Sequence, residues 1–122
     1  MHFLVDTAND NGSAGIGDSK MMIAYDTGYV GIGTTSPSAT LQVEGSGSTV
    51  FDVQGSQGQL FSVTDDLTGT LFSVNDISGI PILSVDSDDT VTMGTFGTNA
   101  LVVTGSKVGI GETTPDSLLH LS

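Results

Sequence analysis

The chain has no cysteine and no tryptophan, and its only cations are Lys20 and Lys107. Without cysteine no disulfide can staple the fold, and the redox compartment cannot be read from thiol usage. Fourteen acids against two cations give a formal net charge of -12. That balance excludes nucleic-acid binding by phosphate neutralisation, and an anionic membrane surface would repel it too. No run is long and apolar enough to span a bilayer, so membrane insertion is not expected. Met1-His2-Phe3-Leu4-Val5 is too short for a signal peptide and lacks a basic start. Five Phe and two Tyr are few aromatics for 122 residues, because a compact globule relies on aromatic surface for much of its core energy. Seventeen glycines add backbone entropy that folding must overcome. So little bulk points toward burial against copies of the same chain.

What is present is repetitive. Val30-Gly31-Ile32-Gly33-Thr34-Thr35-Ser36-Pro37 returns as Val108-Gly109-Ile110-Gly111-Glu112-Thr113-Thr114-Pro115. Eleven residues after each valine comes a leucine, Leu41 or Leu119, and two further on Val43 or Leu121. Such internal similarity marks a repeat architecture. Before the first copy, residues 1–20 form a loop-rich lead-in. It contains the turn cluster Asn9-Asp10-Asn11-Gly12-Ser13 and a worn copy of the element at Ala14-Gly15-Ile16-Gly17. Residues 21–122 read as β-repeat throughout.

Hairpin units are expected near 22–33, 84–94 and 101–111, where short Asp- or Gly-containing connections separate apolar runs. In the middle unit Val91-Thr92-Met93-Gly94 stands where Val-Gly-Ile-Gly stood. The first and third positions keep their apolar character, which marks them as the buried side of a strand. Between the full copies, over 50–85, lies a second repeat: Val50-Phe51-Asp52-Val53, Leu60-Phe61-Ser62-Val63, Leu71-Phe72-Ser73-Val74 and Ile82-Leu83-Ser84-Val85. Its period of two is that of half-buried strands, and the intervening stretches are turn chemistry. Twelve of the fourteen acids are Asp, a turn former. No helical period persists.

The pattern is all-β. Its apolar positions form the expected core: Val30, Ile32, Leu41, Val43, Phe51, Val53, Phe61, Val63, Phe72, Val74, Leu83, Val85, Val91, Met93, Leu101, Val103, Val108, Ile110, Leu119 and Leu121. A single-chain β-solenoid would enclose them in one coil, while an intertwined homotrimer would bury them against symmetry mates. Two inward side chains per strand suit a thin interior fed by several chains, and the trimer is favoured.

Gly28 to Val43 closely matches Gly-x-Val-Gly-Ile-Gly-Thr-Thr-x-Pro followed by Leu-x-Val, and Ser106 to Leu121 matches with Glu112 in place of the first Thr. In these residues the chain resembles the fibre segments of bacteriophage tail fibres and tailspikes. The run from Leu60 to Pro81 is similar to segments of marine phage structural proteins. The resemblance implies an elongated, parallel homotrimeric β-helix or β-prism in a virion. It further implies a rigid spacer that partners with other tail proteins and supports recognition of a host cell-surface glycan. The receptor-binding head, virion-attachment domain and chaperone domain of such fibres have no counterpart here. The chain is accordingly read as a fragment, a product cleaved from a downstream chaperone, or a small complete fibre protein.

Sites of chemistry are few. Gly28-x-x-Gly31-x-Gly33 lacks the helix and lysine that a phosphate loop needs. Asp86, Asp88 and Asp89, with Asp65-Asp66, are the candidate oxygen ligands for a hard cation such as Ca²⁺, but the loop is too short for an EF-hand. His2 and His120 accompany no nucleophile motif. Neither an enzyme nor a cofactor is expected. The alternative function is a monomeric β-solenoid module that binds glycan, ice or cation.

Overall fold

The computed structural model describes residues 1–4, 19–98 and 100–122, the side chains of 2–4 excepted. The turn cluster at 9–13 and the worn copy at 14–17 lie outside the described residues. Every regular element among those described is a β-strand. The chain divides into two compact units, Met1–Ser46 and Gly47–Ser122. The first therefore joins the lead-in to the first repeat copy.

In the first unit, β1 (His2–Leu4), β2 (Ser19–Ile23), β3 (Val30–Ile32) and β4 (Leu41–Val43) form one sheet in that order. The first three are antiparallel neighbours, whereas β3 and β4 run parallel, with Val30 beside Leu41 and Ile32 beside Val43. The second unit is an eight-stranded sheet in sequence order. Its strands are β5 (Thr49–Gln54), β6 (Gln59–Thr64), β7 (Thr70–Asn75), β8 (Pro81–Asp86), β9 (Thr90–Met93), β10 (Leu101–Thr104), β11 (Lys107–Ile110) and β12 (Leu119–Leu121). All neighbours are antiparallel except β11 and β12. The three expected hairpins are present as β2–β3, β8–β9 and β10–β11. Apart from the parallel last pair of each sheet, the pairing is an antiparallel meander, not the stacked parallel coil of a solenoid.

The two repeat copies fold alike, hydrogen bond for hydrogen bond. Val30 N–H donates to Thr40 C=O (2.9 Å) and Val108 N–H to Leu118 C=O (2.9 Å). Glu44 N–H donates to Ile32 C=O (2.8 Å) and Ser122 N–H to Ile110 C=O (3.0 Å). Gly33 N–H donates to Lys20 C=O and Gly111 N–H to Ala100 C=O, both at 3.0 Å. The chain between the parallel strands crosses back over one face of the sheet, and the middle glycine makes room for it. A Cβ on Gly31 would lie 2.6 Å from the Thr34 carbonyl oxygen, and one on Gly109 would strike the carbonyl of Glu112. Position 34 or 112 then caps the crossover. Thr34 Oγ1 accepts from Ser36 N–H (3.4 Å), while Glu112 Oε1 accepts from Thr114 N–H (2.7 Å) and from the Thr114 hydroxyl (2.9 Å). This shared duty accounts for the Thr-to-Glu exchange between the copies.

The middle repeat carries a regular irregularity. The β5–β6 and β7–β8 ladders each skip one residue at both ends, and the skipped residues are Val50, Leu60, Leu71 and Ile82. These are the first apolar residues of the four repeats. A bulge there keeps the Phe-x-Val pair that follows on one face while increasing the twist.

Candidate functional site

Antiparallel strands reverse direction at each turn, so Phe-x-Val in one strand faces Val-x-Phe in the next. Registers in the second unit bring these residues into two unbroken ladders across all eight strands. One runs Phe51, Val63, Phe72, Val85, Val91, Val103, Val108, Leu119; the other runs Val53, Phe61, Val74, Leu83, Met93, Leu101, Ile110, Leu121. Residues directly paired across strands share a face, so all sixteen lie on one side. Phe61 packs edge-on against Phe51 and Phe72, with ring centroids 5.8 and 5.1 Å away.

The remaining four expected core residues behave the same way in the first unit, where Val30 meets Leu41 and Ile32 meets Val43. There β2 adds Ile23 beside Val30 and Met21 beside Ile32. These two were missed in the sequence. Their signal was the correspondence of Met21 and Ile23 with Leu101 and Val103, which align only once the strand phases are known.

Within one chain this face is open. Nine of the twenty named residues are exposed: Ile32, Leu41, Phe51, Val53, Val63, Met93, Ile110, Leu119 and Leu121. The physical reason is that each unit is a single layer, and a sheet with one apolar face needs a second layer to cover it. The buried residues lie on the other face. Met22 and Val102 are the buried hydrophobics, at 8% and 2% exposure, and sit against Gly31 and Gly109 beneath the crossovers. Further along that face the ladder is polar: Ser62 and Ser73 share a hydrogen bond of 2.8 Å and are buried, and Ser84 and Thr92 share one of 2.7 Å.

Most of the described acids lie in or next to turns, while Asp52 lies within β5. Asp76 Oδ1 accepts from Ser78 N–H (2.9 Å), the Ser78 hydroxyl (2.7 Å) and Ile80 N–H (3.0 Å). The Ile80 amide, then the Ser78 hydroxyl, holds its carboxyl below the ordinary Asp value. Asp52 is lowered by the side-chain amides of Gln54 and Gln59, and Glu112 chiefly by the Thr114 amide and hydroxyl. The cation candidates do not converge on a site. Asp86 accepts from the Thr70 hydroxyl (2.7 Å), Asp88 accepts from Thr90 N–H (3.1 Å), and Asp89 takes the left-handed turn position with φ 67°. Among the described residues no group of three or more potential ligands could hold a metal ion. His120 Nδ1 lies 3.2 Å from Asp116 Oδ1, and neighbouring Ser117 donates its hydroxyl to the Leu119 carbonyl (3.0 Å). Gly31, in the glycine pattern that lacks what a phosphate loop needs, lies inside β3. Among the described residues the extended feature is the apolar sheet face. No protein-family model matches the sequence, and no curated protein matches it.

Proposed function

We propose that the chain is a segment of a homotrimeric β-fibre shaft of a phage or phage-like particle, a stiff extracellular spacer that holds host-recognition elements away from the particle. The observation that carries the association is the pair of unbroken apolar ladders left open on one face of the second unit. Seven strand spacings make that strip about 34 Å long, and its two ladders, two residues apart on each strand, run ~7 Å from each other. A patch of several hundred Å² is large for a monomer and marks an interaction site. Two side chains per strand are too narrow for the broad interior of a sandwich. They suit a slender interior to which each copy contributes one sheet. The assignment to a phage fibre rests on the Val-Gly-Ile-Gly-Thr-Thr-x-Pro resemblance, and partnership with other tail proteins and a host glycan follows from it alone.

The deciding measurement is mass in solution by light scattering. Three times the 12.4 kDa of the chain is expected. A monomer at micromolar concentration would overturn the association and favour a monomeric binding module. Binding of the assembled segment to host cells or to a glycan array separates an adhesin from a spacer, and the spacer reading expects no binding.

A further inference from the structure

The two edges of the eight-stranded sheet, where its turns lie, differ in chemistry. On one edge lie the turns after β6 and β8, which hold Asp65, Asp66, Asp88 and Asp89, with Asp86 at the end of β8, and the tight turn before Lys107. On the other lie the turns after β5, β7 and β9. The crossover after β11 leaves from this same edge, so the charges among the described residues there are Asp76 and Glu112, each hydrogen-bonded within its own turn, and Ile77, Ile80 and Phe96 stand exposed at 56%, 46% and 67%. On the acidic edge two apolar residues stand exposed, Leu67 at the tip of the turn after β6 (90%) and Leu118 just before β12 (75%). Apolar residues are poor choices for solvent-facing turn tips, where Gly, Asn, Asp, Ser and Pro are the usual occupants.

Neither tip is loose. Asp66 Oδ1 accepts from Thr68 N–H (3.0 Å), fixing the turn around Leu67. The turn around Ile77 is closed by the Asp76 bonds and packs against its neighbour, since a Cβ on Gly58 would lie 2.6 Å from the Ser78 carbonyl. Leu67 also stands between two open clefts of about 510 and 550 Å³, lined by the hydroxyl and carboxylate groups of the acidic edge.

We propose that the acidic edge of one copy docks on the less charged, apolar edge of the next, with Leu67 set against the Ile77–Ile80 turn of that neighbour. The inference rests on the fibre-shaft reading and specifies how its copies meet. Two acidic edges brought together would repel, and the chain has only two cations with which to offset them. Contact between unlike edges avoids that. It is a heterologous contact, which closes into a ring when the rotation permits, whereas a two-fold contact would pair like with like. The same arrangement continues the apolar strip of each sheet around its rim. The partner turns differ in level by one strand, about 4.8 Å along the stack.

The absence of cysteine makes disulfide trapping clean. Leu67 and Ile77 flank the six-residue β7, so they are separated by roughly 17–20 Å within one chain. An intrachain bond, which needs Cα atoms under about 7 Å apart, cannot form. Leu67→Cys/Ile77→Cys, oxidised as the full chain, is expected to run as covalent dimers and trimers on a denaturing non-reducing gel, while either single variant stays uncross-linked. Cross-linking of Leu67→Cys alone would show like edges in contact and overturn the proposal. So would an uncross-linked double variant whose mass in solution is that of three chains. An unsubstituted chain with the mass of one chain would overturn the fibre reading itself, so the two failures are told apart by the mass of the unsubstituted chain.

Discussion

Val102 sits directly opposite Gly109 in the β10–β11 ladder and is 2% exposed. Met22 stands in the same relation to Gly31. In each pair the larger residue packs on the face that the crossover covers, and the glycine lets the crossover backbone descend. These are the two places where a single-layer sheet gains a second layer from its own chain.

Gly109→Ala therefore tests the unit directly. Its Cβ would meet the Glu112 carbonyl, and overpacking of this kind costs about 1–3 kcal/mol. A lower melting temperature by circular dichroism is expected, with exposed Ser106→Ala unchanged. Equal melting of both variants would show that the crossover does not press on the glycine.

Ser62 and Ser73 form a buried hydroxyl pair at 2.8 Å. Ser62→Ala strands one buried hydroxyl and is expected to cost roughly 1–3 kcal/mol, whereas the double alanine variant costs less than the sum of the singles. Additive losses in chemical denaturation would mean that the pair is not coupled.

Acid should weaken the fold. The carboxyls of Asp52, Asp76 and Glu112 are held below their ordinary values of 3.8, 3.8 and 4.5 by hydrogen bonds to the ionised form. A depressed folded-state pKa means that the unfolded chain takes up the proton first. The stabilisation is complete above the ordinary values and is lost as pH falls through the depressed ones. Melting temperature is thus expected to fall below about pH 4.5. Asp76→Asn should make that decline shallower, and an unaltered acid limb would exclude Asp76 as a contributor.

Phe61 touches two other rings on the open face. Phe61→Asp is expected to shift light-scattering mass from three chains to one while the far-ultraviolet strand signal persists. Retention of the three-chain mass would place the association surface elsewhere.

With a net charge of -12, copies of the chain repel at long range. Raising ionic strength shortens the screening length from ~30 Å at 0.01 M to ~3 Å at 1 M. Assembly is therefore expected to strengthen with added sodium chloride, read as a lower concentration for half-dissociation. The opposite trend would point to attraction between charged groups as the main force.

Much of this was legible without coordinates. Period-two alternation placed Phe61 with Val63 and Phe72 with Val74 on common sides, because successive side chains of a strand alternate. Aspartates fell in turns because a short carboxylate reaches the amide two residues on, as Asp66 and Asp76 do. The equivalence of Val30–Pro37 and Val108–Pro115 held down to single hydrogen bonds. Alternation cannot tell which of two faces will be covered, however, since it relates side chains only to each other. Coverage depended on where the chain after Ile32 and Ile110 crosses, a non-local choice that buried Gly31 and Gly109 and left Ile32 and Ile110 open. The tertiary structure also decided the phase of β2, the bulges at Val50, Leu60, Leu71 and Ile82, and the sorting of acidic and apolar turns to opposite edges. That sorting depends on counting strand reversals through a register, and no local stretch of sequence carries the count.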